Sequence, residues 1–180
     1  MLVSDFPTSG GSCPVAAPVT LGSVAKIGAD GIAPAPADAP VQVQQAIAAG
    51  DRIVDRAYST ERNANMLTTV MDSYDCSGST DFVLFSAGLN AAQVDVGDGI
   101  AGDSGMLESY GEPGPGRWIT VFASAGHAVI EIAGIVLDTA WYASVQPTSP
   151  GSGPRWQPAS IIQAQLRDGK TWTERHPPGL

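Results

Sequence analysis

A chain of 180 residues with 43% hydrophobic residues is long enough to bury a core without disulfide bonds, and we expect a single folded domain. The formal net charge of -9, without any run of Lys or Arg, argues against binding to nucleic acid or to anionic lipid. No stretch is apolar for long enough to cross a membrane, so membrane insertion is not expected.

Residues 1–39 are predicted to form a leader rich in Gly, Pro and Ala, ahead of a domain over 40–180. The alternating Ala-Pro run at 33–37 breaks any helix or strand pattern, so we expect an extended segment on the domain surface. The first residues lack the basic and apolar regions of a signal peptide. Cys13 could pair with Cys76 in an exported protein, but an unpaired thiol is the simpler prediction.

Two helices are predicted in the first half of the domain. The first begins near Pro40, where alanines and spaced aliphatic residues favour a helix, and is expected to end around Ala57-Tyr58. The second begins at or just after Cys76 and ends near Gly88, a residue suited to a C-terminal cap. The polar segment between the two helices has no clear pattern.

The second half of the domain has the pattern of strands. Segments 118–122, 127–132 and 135–138 are predicted strands, and the short connection at 133–134 makes the last two a hairpin. A loop with at most one short helix precedes them, and the tail after Pro147 is also predicted to be loop, with Trp156 and Trp172 anchoring it to the domain. The order predicts an α+β fold, with N-terminal helices packed on a central antiparallel β-sheet.

Cys76 is the predicted nucleophile. It lies where a loop runs into a helix, and the N-terminus of a helix stabilises the negative charge of a thiolate. The backbone N–H groups at that end could bind a developing oxyanion, and the small residues Ser77 and Gly78 leave room for a substrate carbonyl. Taken alone, the position equally suits a buried, unreactive thiol.

His127 is the predicted base. The other histidine, His176, lies in a Pro-rich terminus, whereas His127 begins an apolar strand that can hold its ring rigidly. If the two strands form a hairpin, Asp138 at the end of the second lies beside His127 and can orient the imidazole. The alternatives are an edge-strand histidine in solvent and an aspartate in a turn, but the joint arrangement is more specific than its parts.

The segments around these residues resemble the NlpC-type cell-wall peptidases, which are papain-like cysteine hydrolases of bacteria and their phages. The resemblance is carried by Tyr-Asp-Cys-Ser-Gly-Ser at 74–79, by the helix that follows to 87–89, and by Gly-His-Ala-Val-Ile-Glu-Ile-Ala-Gly at 126–134. It covers about 40–180. Further segments resemble an actinobacterial group of this family, at 111–121, 137–139, 153–156 and 175–180.

The resemblance implies a papain-like NlpC-type fold and hydrolysis of an amide bond in peptidoglycan stem peptides. The usual bond joins the γ-carboxyl of D-glutamate to a diamino acid, and it is cut through a thioester acyl-enzyme. By position, Cys76 attacks, His127 acts as base and then as acid, and Asp138 orients the ring. We therefore expect a monomeric bacterial protein that is secreted or associated with the cell wall, with peptidoglycan peptides as its partners.

The resemblance also implies the substrate-binding residues. Asp75 and Ser77 match positions that help to bind the free amino end of the substrate, and Tyr58 matches a tyrosine that lines the cleft near the oxyanion site. The chain departs from the family after Tyr58, because the usual Gly-rich segment is replaced by bulkier polar residues. Glu61 and Arg62 either make new contacts there or are solvated loop charges.

Three functions are compatible with this sequence. They are a cell-wall cysteine endopeptidase, a related amidase or acyltransferase, and a catalytically weak cell-wall-binding module. The retained Cys, His and Asp favour an enzyme, whereas the altered segment favours a changed substrate or weak activity. No metal or other cofactor is expected, because the two cysteines and two histidines lack ligand spacing and no Gly-rich phosphate loop follows a strand.

Overall fold

A computed structural model describes residues 19–20, 23–63, 65–89, 102–140, 151–167 and 169–180. The helices in this part of the chain are α1 (Val41–Asp51), α2 (Cys76–Ser86) and α3 (Ser160–Gln165), with a 3₁₀ helix at Met106–Ser109. The strands are β1 (Val19–Thr20), β2 (Ala35–Pro36), β3 (Ala57–Tyr58), β4 (Ser73–Tyr74), β5 (Glu112–Pro113), β6 (Ile119–Ser124), β7 (His127–Ile132), β8 (Ile135–Asp138), β9 (Arg155–Pro158) and β10 (Thr173–His176).

Six strands form one antiparallel sheet in the order β5-β10-β6-β7-β8-β9. Helices α1 and α2 pack on each other, and α2 packs on β7 and β8. The predicted α+β fold, with N-terminal helices on an antiparallel sheet, is therefore confirmed. Two short parallel pairs, β1 with β2 and β3 with β4, lie outside the main sheet.

The central strands β6, β7 and β8 are buried on both faces, and alternate residues point to opposite sides of the sheet. One face joins the main core with α1 and α2. The other face forms a smaller cluster with α3. The buried members of this second cluster are Phe122, Val129, Val136 and Ile162.

Helix α2 has the bounds that its sequence predicts. Asp75 caps its N-terminus by accepting a hydrogen bond from the backbone N–H of Gly78. At the other end Gly88 takes a left-handed conformation with φ +70°, and the N–H groups of Gly88 and Leu89 donate to the carbonyls of Phe85 and Leu84. This pair of bonds is a Schellman motif, which ends the helix where Gly88 predicts.

The prediction that α1 continues as far as β3 is wrong, because the helix ends at Asp51. The chain turns through Asp55, which has φ 62°. Backbone groups of Asp55 bond the distant tail instead of a further helical turn: its N–H donates to Pro154 at 3.1 Å, and its carbonyl accepts from Gly151 at 2.8 Å. A tertiary contact therefore replaces the last turn of the predicted helix.

The prediction of loop throughout the tail is also wrong, because β9, α3 and β10 lie there. Strand β9 extends the sheet beyond β8, with Asp138 paired to Arg155, and β10 lies between β5 and β6. Trp156 on β9 is buried, as expected of an anchor. The segments 90–101 and 141–150 lie outside the described residues, so the loop predictions for 90–101 and for 148–150 stay untested.

The described part of the leader packs on the domain. Ala25, Ala33, Ala35 and Ala39 are buried in the same cluster as the main core, and the N–H of Ala25 donates to the carbonyl of Ala133 at 2.9 Å. The division of the chain at 39/40 remains a prediction. Cys13 lies outside the described residues, but Cys76 has a free thiol, so the alternative of a Cys13–Cys76 disulfide is not borne out.

Among the described residues, no helix has both the length and the apolar character needed to cross a membrane.

Candidate active site

Cys76 is the first residue of α2 and has a free thiol. The residue is buried, with 9% of its surface exposed. Its carbonyl accepts hydrogen bonds from the hydroxyls of Ser79 and Thr80, at 2.9 and 3.0 Å. Asp75 caps the helix directly before it, with Oδ1 2.6 Å from the N–H of Gly78. The start of α2, and with it the thiol, is therefore firmly positioned.

The β7–β8 hairpin brings His127 and Asp138 together. The register pairs Ile132 with Ile135 across the turn, so the start of β7 and the end of β8 lie at the same end of the hairpin. Nε2 of His127 is 2.9 Å from Oδ1 of Asp138. Cys76 lies near the same imidazole, since it contributes to the raised pKa of His127. The three residues thus form a chain of neighbouring groups: a carboxylate bonded to an imidazole, with a thiol near the imidazole.

This chain favours a protonated imidazole. Burial by itself would lower the pKa of His127. The hydrogen bonds to Asp138 and Cys76, together with the negative charges of these two residues, outweigh burial and raise the pKa of His127 to about 9. At neutral pH the protonated, positively charged form of His127 is therefore favoured.

Asp138 is held by residues from the tail as well as by His127. Its side chain is fully buried, and Oδ1 also accepts from the N–H of Ala140 at 2.9 Å. Oδ2 accepts a hydrogen bond from Nε2 of Gln165, which is itself buried at the end of α3. Trp172 meets the His127 ring edge to face, with centroids 6.0 Å apart and planes at 83°. Carboxylate and imidazole are therefore fixed in orientation.

Gln165 carried no signal that sequence reasoning could use. It is a polar residue in a segment predicted to be loop, and its partner lies 27 residues away. Trp172 was expected to anchor the tail, but its contact with His127 could not be inferred from its position in the sequence. The other histidine, His176, lies on β10, where it bonds the carbonyl of Gly114 and faces Glu112.

Tyr58 lies on β3, opposite Tyr74 on β4, which leads into the nucleophile segment. Burial raises the pKa of the Tyr58 hydroxyl, and the negative charges of Cys76 and Asp75 raise it further, while Arg62 acts in the opposite direction. The pKa of Tyr58 is thus sensitive to the charges of the residues around Cys76. Its role in lining the cleft remains a prediction.

Asp75 and Ser77, the two predicted substrate-binding residues, flank the nucleophile and are both buried. Both bind Arg62, whose Nη2 is 2.8 Å from Oδ2 of Asp75 and 2.5 Å from Oγ of Ser77. Nη1 of Arg62 donates to the carbonyl of Gly102 at 2.7 Å. Of the two alternatives for Arg62, new contacts are therefore correct and a solvated charge is wrong. Glu61, by contrast, is exposed.

Asp81 is a further acidic group of α2, and sequence reasoning did not single it out. It is 2% exposed, and its Oδ2 has no hydrogen-bond partner among the described residues. Burial raises the pKa of Asp81 to about 8, although the charge of Arg62 and a bond from the backbone of Gly102 oppose the rise. At neutral pH this carboxyl is mostly protonated, so Asp75 carries the negative charge that faces Arg62.

A cavity of about 430 Å³ opens at the β6–β7 turn, which precedes His127 in the chain. The cavity is lined by Glu108, Ser124, Ala125, Gly126, Lys170 and Thr171.

The described residues contain no group of three or more His, Cys, Asp or Glu side chains that could hold a metal ion.

Comparison with known proteins does not assign the chain to a family. No protein-family model matches it, and no curated protein matches it. A function for this site must therefore be argued from its side chains, their geometry and the resemblance of its motifs.

Proposed function

We propose that this chain is a cysteine hydrolase that cuts amide bonds through a thioester acyl-enzyme. The observation that carries the proposal is that His127, bonded to Asp138, lies near Cys76 at the N-terminus of α2. A positioned nucleophile, a base in contact with it and a group that orients the base are the three parts that such chemistry needs.

The first half of the reaction forms the acyl-enzyme. Sγ of Cys76 attacks the carbonyl carbon as a thiolate, and the carbonyl oxygen becomes an oxyanion. The first N–H groups of α2, which include that of Cys76, have no acceptor within the helix and can stabilise this charge. The C–N bond then breaks as the His127 imidazolium gives its proton to the leaving amine. A thioester on Cys76 and a neutral His127 remain.

The second half of the reaction restores the enzyme. Neutral His127 takes a proton from a water molecule, whose oxygen attacks the thioester carbonyl. The C–S bond breaks, the acid product leaves, and Cys76 returns as a thiolate beside an imidazolium. Asp138 keeps the ring in one orientation throughout, since its carboxylate stays bonded to Nε2.

The proposed fold family and substrate come from the resemblance of the motifs. A helix with a cysteine at its start, packed on an antiparallel sheet that carries His and Asp, agrees with a papain-like NlpC-type fold. The proposed substrate is a peptidoglycan stem peptide, cut between the γ-carboxyl of D-glutamate and a diamino acid. A monomeric, secreted or cell-wall-associated bacterial protein is part of the same proposal.

The proposal is tested by mass spectrometry of muropeptides after incubation with the full chain. Wild type should release peptides cut at the D-glutamyl bond, and Cys76→Ala should release none, because no other group in the site can form the thioester. Cys13→Ala is the matched control, since it removes the only other cysteine. Cleavage by Cys76→Ala at the wild-type rate would exclude the proposed mechanism.

A second candidate is a related amidase, an acyltransferase or a weakly active cell-wall-binding module. It is favoured by one observation, namely that Arg62 occupies Asp75 and Ser77, two of the predicted substrate ligands. Products with a changed scissile bond or acceptor would identify an amidase or acyltransferase. Binding without turnover, together with no labelling of Cys76 by iodoacetamide at neutral pH, would identify a binding module.

A further inference from the structure

We propose that Arg62 sets the substrate class of this site by filling the position at which Asp75 and Ser77 could bind a substrate ammonium. The substrate is then a peptide whose amino end is acylated, such as one still joined through that end to a larger polymer. This inference rests on the proposed function and defines which peptides the site accepts.

The guanidinium of Arg62 uses the acceptors that a substrate ammonium would need. It donates to the Asp75 carboxylate at 2.8 Å and to the Ser77 hydroxyl at 2.5 Å, the residues directly before and after the nucleophile. A carboxylate and a hydroxyl are the acceptors beside Cys76 that could hold a positively charged group. An ammonium and the guanidinium therefore compete for the same atoms.

The charge near the nucleophile also disfavours an ammonium. The positive charge of Arg62 offsets the negative charge of the Asp75 carboxylate, to which the guanidinium is bonded. Asp81 adds little negative charge, because burial raises its pKa to about 8. A substrate ammonium would therefore approach a guanidinium without finding an unpaired carboxylate, and like charges brought together in a partly buried site repel.

Arg62 is anchored well enough to persist in this position. Its side chain is 23% exposed, and a third hydrogen bond joins Nη1 to the carbonyl of Gly102 at 2.7 Å. A substrate that displaced the guanidinium would have to break a charge-assisted pair as well as this bond. An N-acylated end brings a neutral amide, which can lie beside Arg62 without displacing it.

The first test compares two peptides that differ only at the amino end. L-Alanyl-γ-D-glutamyl-diamino acid peptide is assayed with a free amino group and as its N-acetyl derivative. Wild type should cleave the N-acetyl peptide with a kcat/KM at least about 10-fold higher, and Arg62→Ala should shift this ratio at least about 10-fold toward the free amine. The ratio is independent of the folded fraction, since both peptides meet the same protein.

Two variants control this comparison. Arg62→Lys keeps the positive charge and should keep the preference for the N-acetyl peptide. Arg56→Ala removes another arginine that pairs with an aspartate, Asp72, at 3.6 Å on the surface, and it should leave the ratio unchanged. A wild-type preference for the free amine that Arg62→Ala does not alter would overturn the inference and leave the proposed function standing.

The second test needs no turnover. In a Cys13→Ser background, modification of Cys76 by aminoethyl and sulfonatoethyl methanethiosulfonate compares a cationic with an anionic reagent. Arg62→Ala should raise the cationic-to-anionic rate ratio at least about 5-fold by exposing Asp75, and Arg56→Ala should not. Such a shift without cleavage of either peptide would support the conclusion that Arg62 fills the position at Asp75 and Ser77. The same result would count against the proposed function. No shift would count against Arg62 as the occupant.

Discussion

The proton on His127 is held by residues on both sides of the ring. Burial lowers the pKa of His127, but Asp138 and Cys76 together raise it from 6.5 to about 9. The folded chain therefore binds this proton more tightly than the unfolded chain does. The contribution of this proton to the free energy of unfolding is fully present below about pH 6.5 and is lost as the pH rises through about 9.

Asp138→Asn is expected to weaken this dependence on pH, because the amide has the shape of the carboxyl group without its charge. Between about pH 6 and about pH 10, His127 should account for a loss of roughly 2–3 kcal/mol in the free energy of unfolding of wild type. The variant should lose less than half as much. Chemical denaturation across this range measures the difference.

The control for this experiment is Asp38→Asn, which removes an exposed carboxylate outside the site. It should retain the pH dependence of wild type. If Asp138→Asn lost as much stability as wild type over the same range, Asp138 would not be what holds the proton on His127.

At the scale of elements, α1 and β9 meet at Gly50. A glycine within a helix usually costs about 0.5–1 kcal/mol relative to alanine. Here a Cβ on Gly50 would lie 2.3 Å from Cζ2 of Trp156. That indole is buried, and its Nε1 donates to Oδ1 of Asp51 at 2.8 Å. The glycine thus allows the helix to approach the sheet.

Gly50→Ala is therefore expected to destabilise the chain, although the same change favours an isolated helix. We expect a loss of about 2–3 kcal/mol in the free energy of unfolding, since the indole must leave its position and its hydrogen bond. Urea denaturation measures it. Gly126→Ala, where no atom lies within 4 Å of the added Cβ, is the control and should change little. A neutral or stabilising Gly50→Ala would show that α1 and β9 separate easily.

At the scale of the whole molecule, the tail completes a site whose cysteine, Cys76, lies far earlier in the chain. Its strand β9 extends the sheet at β8, which carries Asp138, and α3 covers the face opposite α1 and α2. Gln165 at the end of α3 reaches Asp138, and Trp172 meets His127. Cys76 thus belongs to the helical layer formed by α1 and α2. His127 belongs to the sheet, which lies between that layer and α3.

Gln165→Ala tests this long-range support. The variant leaves Oδ2 of the buried Asp138 without its donor, so we expect a loss of about 1–3 kcal/mol in stability. We also expect kcat on a cleaved peptide to fall about 10-fold with KM unchanged, because the ring is less well oriented. Steady-state kinetics measures both constants.

Gln163→Ala is the matched control, since Gln163 is an exposed residue of the same helix. It should keep the kcat of wild type. A Gln165→Ala variant that is less stable but has an unchanged kcat would limit Gln165 to a structural role.

Local signals in the sequence were sufficient to predict helix α2 and the β7–β8 hairpin. Asp75 and Gly88 bound the helix by capping bonds that reach only a few residues, and the tight turn at 133–134 sets the register of the hairpin. The pairing of His127 with Asp138 follows from that register. These features were predictable because each depends on neighbours in the sequence.

Tertiary structure decided the rest. Helix α1 ends at Asp51 because the tail takes the backbone bonds of Asp55, and the four-residue strand β10 exists because β5 and β6 flank it. Arg62 and Gln165 find partners 13 to 40 residues away, a choice that no local pattern encodes. The sequence by itself thus determined that Cys76 would lie at the N-terminus of a helix. The packing of distant segments decided what surrounds it, since a buried polar side chain is satisfied by whichever partner the fold brings within reach.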